Sequence, residues 1–284
     1  MFWDLIRGRQ YYKNLLVFLA LIFTGSALNF FSVGLAVAGF VALCLISSTN
    51  YILNDIFDIN RDRVHPEKKK RPIAAGKISV FWATILAIIL AIVSLVIAFF
   101  VSYGFFILVI GFFVFTQIYS LYLKNQVFLD IIAIAINFAI RAISGAIILS
   151  VIISPWMVVC AFFLSLFLAT AKRKGDLVFL GKEARKHKKV LQFYSVALLD
   201  KMLLIIVTLL IAAYSFYSFF SEYAMLITLP VVLYALLRYL YLVENGSEII
   251  RKPELFLKDT GLLISSWIWV FLSIFLIYIF PLVT

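Results

Sequence analysis

Apolar stretches of about twenty residues, the length that crosses a bilayer as a helix, recur along this chain from one end to the other. They leave few choices of solvent. A soluble domain is about a quarter charged, whereas here 14% of 284 residues are charged and 65% are hydrophobic. Backbone groups in lipid must be satisfied within the spanning structure, which restricts spans to helices or closed barrels. The runs are continuous rather than alternating, so they predict helices. The expected architecture is an all-α polytopic membrane protein, one integral-membrane domain over 1–284. Its nine spans lie at about 14–31, 33–53, 79–101, 104–123, 127–149, 155–171, 192–219, 224–243 and 261–282. Cys44 and Cys160 fall inside apolar runs and read as small buried hydrophobes. The first run follows Arg7, Arg9 and Lys13 without a clear cleavage pattern and reads as a retained helix.

Charge divides the connections into two sets. Those after spans 1, 3, 5 and 7 are short, with Glu222 their sole residue charged at neutral pH. Of the 25 Lys and Arg, only Arg141, Lys201 and Arg238 lie within spans, and the other 22 fall in the N-terminus or after spans 2, 4, 6 and 8. The positive-inside rule puts that side in the cytoplasm and the C-terminus outside. The expected location is the plasma or inner membrane, with membrane lipid as a partner and no nucleic acid. Topology and anionic lipid together account for the run Arg185 to Lys189 as well as a functional role does.

Topology is a poorer account of the segment Asn54-Asp55-Ile56-Phe57-Asp58-Ile59-Asn60-Arg61-Asp62. Asn54, Asp58 and Asp62 are spaced by four and Asp55 lies three before Asp58, so on a helix they share one face. Carboxylates clustered at a membrane boundary are costly without a cation. A few carboxylates completed by phosphate oxygens are how Mg²⁺ is commonly held. Lys68, Lys69, Lys70 and Arg71 follow, able to grip phosphate oxygens beyond the metal's reach. His65 carries little information. A second cluster, Lys172, Arg173, Lys174 and Asp176, opens what reads as a loop after span 6. Its spacing fits a local ion pair or a second pole of the same site. Asp130, Asn137 and Arg141 form a polar stripe on span 5, with Arg141 roughly 20 Å along it at 1.5 Å per residue. An intramembrane Arg points to a cavity or an anion. Tyr119, Tyr122 and Lys124 stand near that face, and Asp200 and Lys201 stay open.

NDIFDINRD followed by HPEKKKRPIAAG resembles the first motif of the UbiA-type intramembrane prenyltransferase superfamily. GRQYYKNLLVF, YSLYLKNQVFLD, INFAIRAISGAIILSVIISPW, LATAKRKGDL and PELFLKD resemble the branch that makes polyprenyl-phosphate phosphoribose, and together they cover nearly the whole chain. The resemblance implies a UbiA-like helical bundle with a cytoplasmic-side cavity, 5-phosphoribosyl 1-diphosphate as donor, a polyprenyl phosphate as acceptor and Mg²⁺ as cofactor. It matches Asn54, Asp58 and Asp62 to metal and diphosphate positions with Asp55 beside them, Arg71 to the basic residue before Pro, and Lys172 and Arg173 to the second motif's basic pair. The expected metal and catalytic set is therefore Asp55, Asp58 and Asp62, and the expected substrate set is Asn54, Arg71, Lys172, Arg173 and Asp176 with Lys13, Lys68, Tyr119, Lys124, Asn137 and Arg141 added. The second motif ends in Asp176 where this branch often has Glu, and it lacks the paired Asp of aromatic prenyltransferases, which leaves open whether it holds metal. A prenyltransferase using a prenyl diphosphate is the first rival and a transporter the second, and a homo-oligomer is left open. Transporters usually place polar groups at the midplane with access to both sides, whereas here Arg141 is the main deep charge and the outer loops are bare.

Overall fold

The computed structural model describes residues 2–64, 68–152, 154–181, 189–221 and 224–280; His65, Arg185 and Glu222 lie outside them. It is helical, with no strand among the described residues. The main helices are α1 (Phe30–Phe57), α2 (Val80–Val101), α3 (Tyr103–Leu121), α4 (Leu129–Leu149), α5 (Pro155–Leu180), α6 (Val196–Phe220), α7 (Leu229–Glu244) and α8 (Thr260–Ile274). Short extensions included, all 8 are long and apolar enough to cross a membrane. Their surfaces require one: α2 has a mean hydropathy of 3.1, yet only 17% of its span is buried inside the protein. Phe30, Phe100 and Ile152 stand almost wholly exposed. Such a surface is stable only in lipid.

Helix starts follow local chemistry. The side chains of Asn29, Ser79, Ser102, Ser195 and Asp259 accept from backbone N–H groups in the first turn of α1, α2, α3, α6 and α8. Each satisfies a donor that lipid could not. Pro155 opens α5, where its missing N–H costs nothing.

Two expectations change. The stretch expected to span 14–31 is a composite: a 3₁₀ segment Gly8–Val17, a short helix Phe18–Phe23, a left-handed Gly25 and a 3₁₀ turn Ser26–Leu28. It departs from α geometry where Asn14 turns inward to Cys44 and Arg141. Its first two parts still extend roughly 30 Å at 3₁₀ and α rises. Second, α5 continues to Leu180, so Lys172, Arg173, Lys174 and Asp176 are helical rather than in a loop. Tertiary counter-ions described below neutralise the charged turns.

Backbone contacts group the chain into two compact units, residues 1–123 with 140–152, and residues 124–139 with 153–284. In the first, α1 packs along α2, with Val17, Leu43, Ile46, Phe105, Val109, Phe112 and Ile148 at the core. A satellite of Leu5, Ile52, Ile73, Ala83 and Ala87 ties the N-terminus to the connection after α1. In the second, α5 packs along α6, and Phe167, Leu203, Leu210, Leu236 and Tyr239 are central.

Candidate functional site

The polar end of α1 supplies the first unit's cluster. The helix stops at Phe57, Asp58 caps it, and a further turn runs Ile59–Val64. Asp62 N still donates to the Asp58 carbonyl at 2.8 Å, so the i, i+4 step survives the break. Asp55 and Asp62 end up 3% and 2% exposed, a depth at which a carboxylate needs a counter-ion. Arg71 provides it. One guanidinium nitrogen, Nη1, lies 3.0 Å from Asp55 Oδ1 and 2.5 Å from Asp62 Oδ2. Arg7 donates from Nη2 to the same Asp55 oxygen and stacks over the Tyr51 ring at 4.8 Å. Lys68 Nζ stands 4.0 Å from Asp62. Burial, then the adjacent Arg71, pushes its ammonium below the usual lysine range. Asp58 turns toward Arg61 at 3.8 Å. Asn54 is half-buried beside them.

Deeper in the same unit, Arg141 is 6% exposed. Its Nε donates to Asn14 Oδ1 at 2.7 Å, and its guanidinium lies 4.7 Å from the Phe112 ring centre. Asn14 in turn donates to Cys44 Sγ. Lys13 lies 5.9 Å from the Tyr12 ring, and Tyr119 is half-buried on α3.

The second unit holds the other cluster. Arg173 Nε donates to Asp130 Oδ2 at 2.7 Å, with both side chains almost wholly buried. The Tyr194 hydroxyl donates to the other Asp130 oxygen at 2.7 Å and accepts from Phe128 N–H. Burial, then the adjacent carboxylate, holds that phenol well above its ordinary range. Lys174 Nζ bridges Asp200 at 2.6 Å and Glu244 at 2.7 Å, joining α5, α6 and α7. Asp176 meets Arg251 at 3.7 Å and Arg173 at 3.9 Å. Lys172 and Lys124 are half-buried, and Asn137 donates back to its own helix at the Ala133 carbonyl.

The expected residues therefore fall into separate groups. Asp55, Asp62, Lys68 and Arg71 come together. The α4 stripe does not act as one, since Asp130, Asn137 and Arg141 each serve a different partner. Sequence reasoning missed Arg7, Tyr194, Asp200 as a partner of Lys174, and Glu244. No local signal marks them, because their partners lie far along the chain.

A model of the UbiA prenyltransferase family matches residues 15–257, most of the chain. The chain belongs to the UbiA prenyltransferase family. As a UbiA member it is a multi-pass membrane transferase. It is 32% identical to a protein of Mycolicibacterium smegmatis named decaprenyl-phosphate phosphoribosyltransferase, over 93% of this chain and 88% of that one. It is 30% identical to a protein of the same name from Corynebacterium glutamicum, over 97% and 86%. The UbiA fold is shared with the solved UbiA homologue of Archaeoglobus fulgidus bound to GPP and Mg²⁺, at a TM-score of 0.76, 20% identity and coverage of 98% and 99%.

Asp55 and Asp62 offer buried oxygen donors of the kind a hard divalent ion takes, and Arg71 supplies the cation between them. Among the described residues no group of three or more His, Cys, Asp or Glu is gathered to hold a metal by itself. Two carboxylates completed by phosphate oxygens match how Mg²⁺ is bound at such sites.

Proposed function

We propose that this UbiA-family transferase moves 5-phosphoribose from 5-phosphoribosyl 1-diphosphate to a polyprenyl phosphate, with Mg²⁺, at the cytoplasmic face of the cell membrane. One observation carries the diphosphate part of the reading: two buried carboxylates, Asp55 and Asp62, spanned by Arg71 and bordered by Arg7 and Lys68. The identity of the transferred group is supported by the shared name of relatives aligned over nearly the whole chain. The one-sided charge supports the orientation.

Asp55 and Asp62 would hold Mg²⁺, with Asn54 beside them and Asp58 joining as a ligand on leaving Arg61, and the ion would neutralise charge on the departing diphosphate. Arg71 and Lys68 would grip the phosphate oxygens left over. As the bond from the ribose anomeric carbon to the diphosphate breaks, positive charge grows on that carbon. Fixed carboxylates nearby favour this separation. An oxygen of the acceptor phosphate forms the new bond. That phosphate is already anionic at neutral pH, so no strong general base is required. Arg141, deep in the apolar region, suits an anionic headgroup on a lipid tail. Lys13, Tyr119, Lys124, Asn137, Lys172, Arg173 and Asp176 complete the proposed substrate-binding set.

A prenyl diphosphate as donor is the alternative, favoured by the GPP that the Archaeoglobus homologue binds. Purified protein in lipid, given each donor labelled in its transferable group with polyprenyl phosphate and, separately, an aromatic acceptor, decides between them. We expect label in the lipid product only from phosphoribosyl diphosphate. Incorporation only from the prenyl donor would overturn the reading.

A further inference from the structure

Arg7 is held in place by more than its ion pair. Its backbone is left-handed, at φ 52° and ψ 47°, a conformation that costs a non-glycine residue energy and persists where the surroundings enforce it. Those surroundings are on both sides. Leu5 is 2% exposed in the satellite core with Ile52 and Ile73. The Ile6 carbonyl accepts from the buried Ser48 hydroxyl. Gly8 packs so tightly on Trp3 that a Cβ there would lie 2.4 Å from the indole. The N-terminal segment is thus fastened at neighbouring points, and the strained residue between them presents a guanidinium to Asp55 Oδ1, the oxygen that Arg71 also contacts.

Arg7 and Arg71, the two guanidiniums in direct contact, carry two positive charges against the two negative charges of Asp55 and Asp62, with Lys68 a third cation 4.0 Å from Asp62. A divalent cation on those carboxylates would bring the same charge that the guanidiniums now supply. We infer that Arg7 is an exchanging counter-ion: it occupies Asp55 while the site is empty, and passes to the diphosphate when metal and diphosphate enter together. The inference rests on the diphosphate reading above, but not on whether the group transferred is phosphoribose or prenyl. Arg7 therefore opposes metal binding alone and favours diphosphate binding, so its removal moves the two affinities in opposite directions. A residue that only stabilised the fold would lower both.

The test uses the full-length protein in nanodiscs with two probes. Mn²⁺ alone is titrated by electron paramagnetic resonance, and ³²P-pyrophosphate is titrated at fixed saturating Mg²⁺. Arg7→Gln should tighten Mn²⁺ by about tenfold and weaken pyrophosphate by about tenfold, the scale expected of one partly screened charge at close range. Arg9→Gln, at an exposed position with the same change in net charge, should move neither. Arg7→Lys should return Mn²⁺ affinity to that of the wild type and recover part of the pyrophosphate binding; where Arg7→Gln does not fold, wild-type pyrophosphate binding or weakened Mn²⁺ binding in Arg7→Lys would overturn the inference. Weaker Mn²⁺ binding in Arg7→Gln, unchanged constants, or an equal effect from Arg9→Gln would overturn the inference. Because pyrophosphate is common to both donors, a wrong donor assignment leaves both titrations intact.

Discussion

Replacing Asp130 with Ala removes the partner of a buried cation. Arg173 and Asp130 are 4% and 0% exposed and 2.7 Å apart, which at an effective dielectric near 20 corresponds to a gross attraction of about 6 kcal/mol. Desolvation of both ions offsets much of that, so the pair's net worth is small. Removing one partner is another matter, because the guanidinium remains buried without its carboxylate, at a cost of about 3–5 kcal/mol. Tyr194 also loses the acceptor of its 2.7 Å hydrogen bond, which adds about 1 kcal/mol. The sum is about a quarter or more of a typical domain's total stability. Heating the protein in detergent and following the monodisperse fraction by size exclusion should show a large drop in melting temperature for Asp130→Ala. Asp130→Leu with Arg173→Met, apolar at both positions, should recover most of it, giving a coupling energy of about 2 kcal/mol or more. Wild-type melting in Asp130→Ala, or additivity in the double variant, would refute the reasoning. The double variant also separates the roles of Arg173. If it binds donor, the repaired protein folds with a raised donor KM; if it only anchors α5, donor KM stays put.

Asp58→Ala or Asp62→Ala should reduce turnover below detection while the protein still inserts and purifies, and full activity in either would contradict a metal role. Lys172→Ala should mainly raise the donor KM, with kcat nearly kept, read from initial rates over a donor series. Gly145→Ala should destabilise the protein by about 1–3 kcal/mol in a melting assay, since the new Cβ would lie 2.0 Å from the Val17 carbonyl oxygen, and backbone yields less readily than a side chain. The Arg238 guanidinium beside Asp259 holds that carboxyl below the usual range. Its stabilisation is fully present above the unfolded carboxyl's pKa of about 3.9 and is lost as pH falls through the lower folded value. Arg238→Gln should flatten that acid limb in melts across pH.

The spans were legible because lipid removes alternatives: a long apolar run must form its own hydrogen bonds, and only a helix does so within one segment. What local patterning does not carry is tertiary substitution for those rules. The segment 14–31 has the composition of a span, yet it winds as 3₁₀ where Asn14 finds Arg141 across a separation of 127 residues. The end of α5 reads as a loop because Lys172, Arg173 and Lys174 follow one another after an apolar run. It stays helical because Asp130 meets Arg173, and Asp200 and Glu244 meet Lys174, from other helices.

The same physics divides the site into a readable part and a hidden one. Spacing of three and four along one helix end is a local property, so the Asp55, Asp58 and Asp62 motif could be drawn from sequence; the structure joins Asp55 and Asp62 through Arg71, which lies close enough in the chain to be guessed, and turns Asp58 toward Arg61. Basic residues elsewhere carry one sign and several meanings. Arg7 sits among charges that also orient the protein in the bilayer, and nothing near it marks its ion pair 48 residues away. Arg173 matches an anion-binding motif, yet its Nε is taken by a carboxylate in the core. A cation's function at a membrane boundary is set by which anion it meets, and in this fold those anions arrive from other helices. The carboxylate motif can therefore be picked out by its spacing, while the basic residues have to be assigned one at a time, by the counter-ion that each one meets.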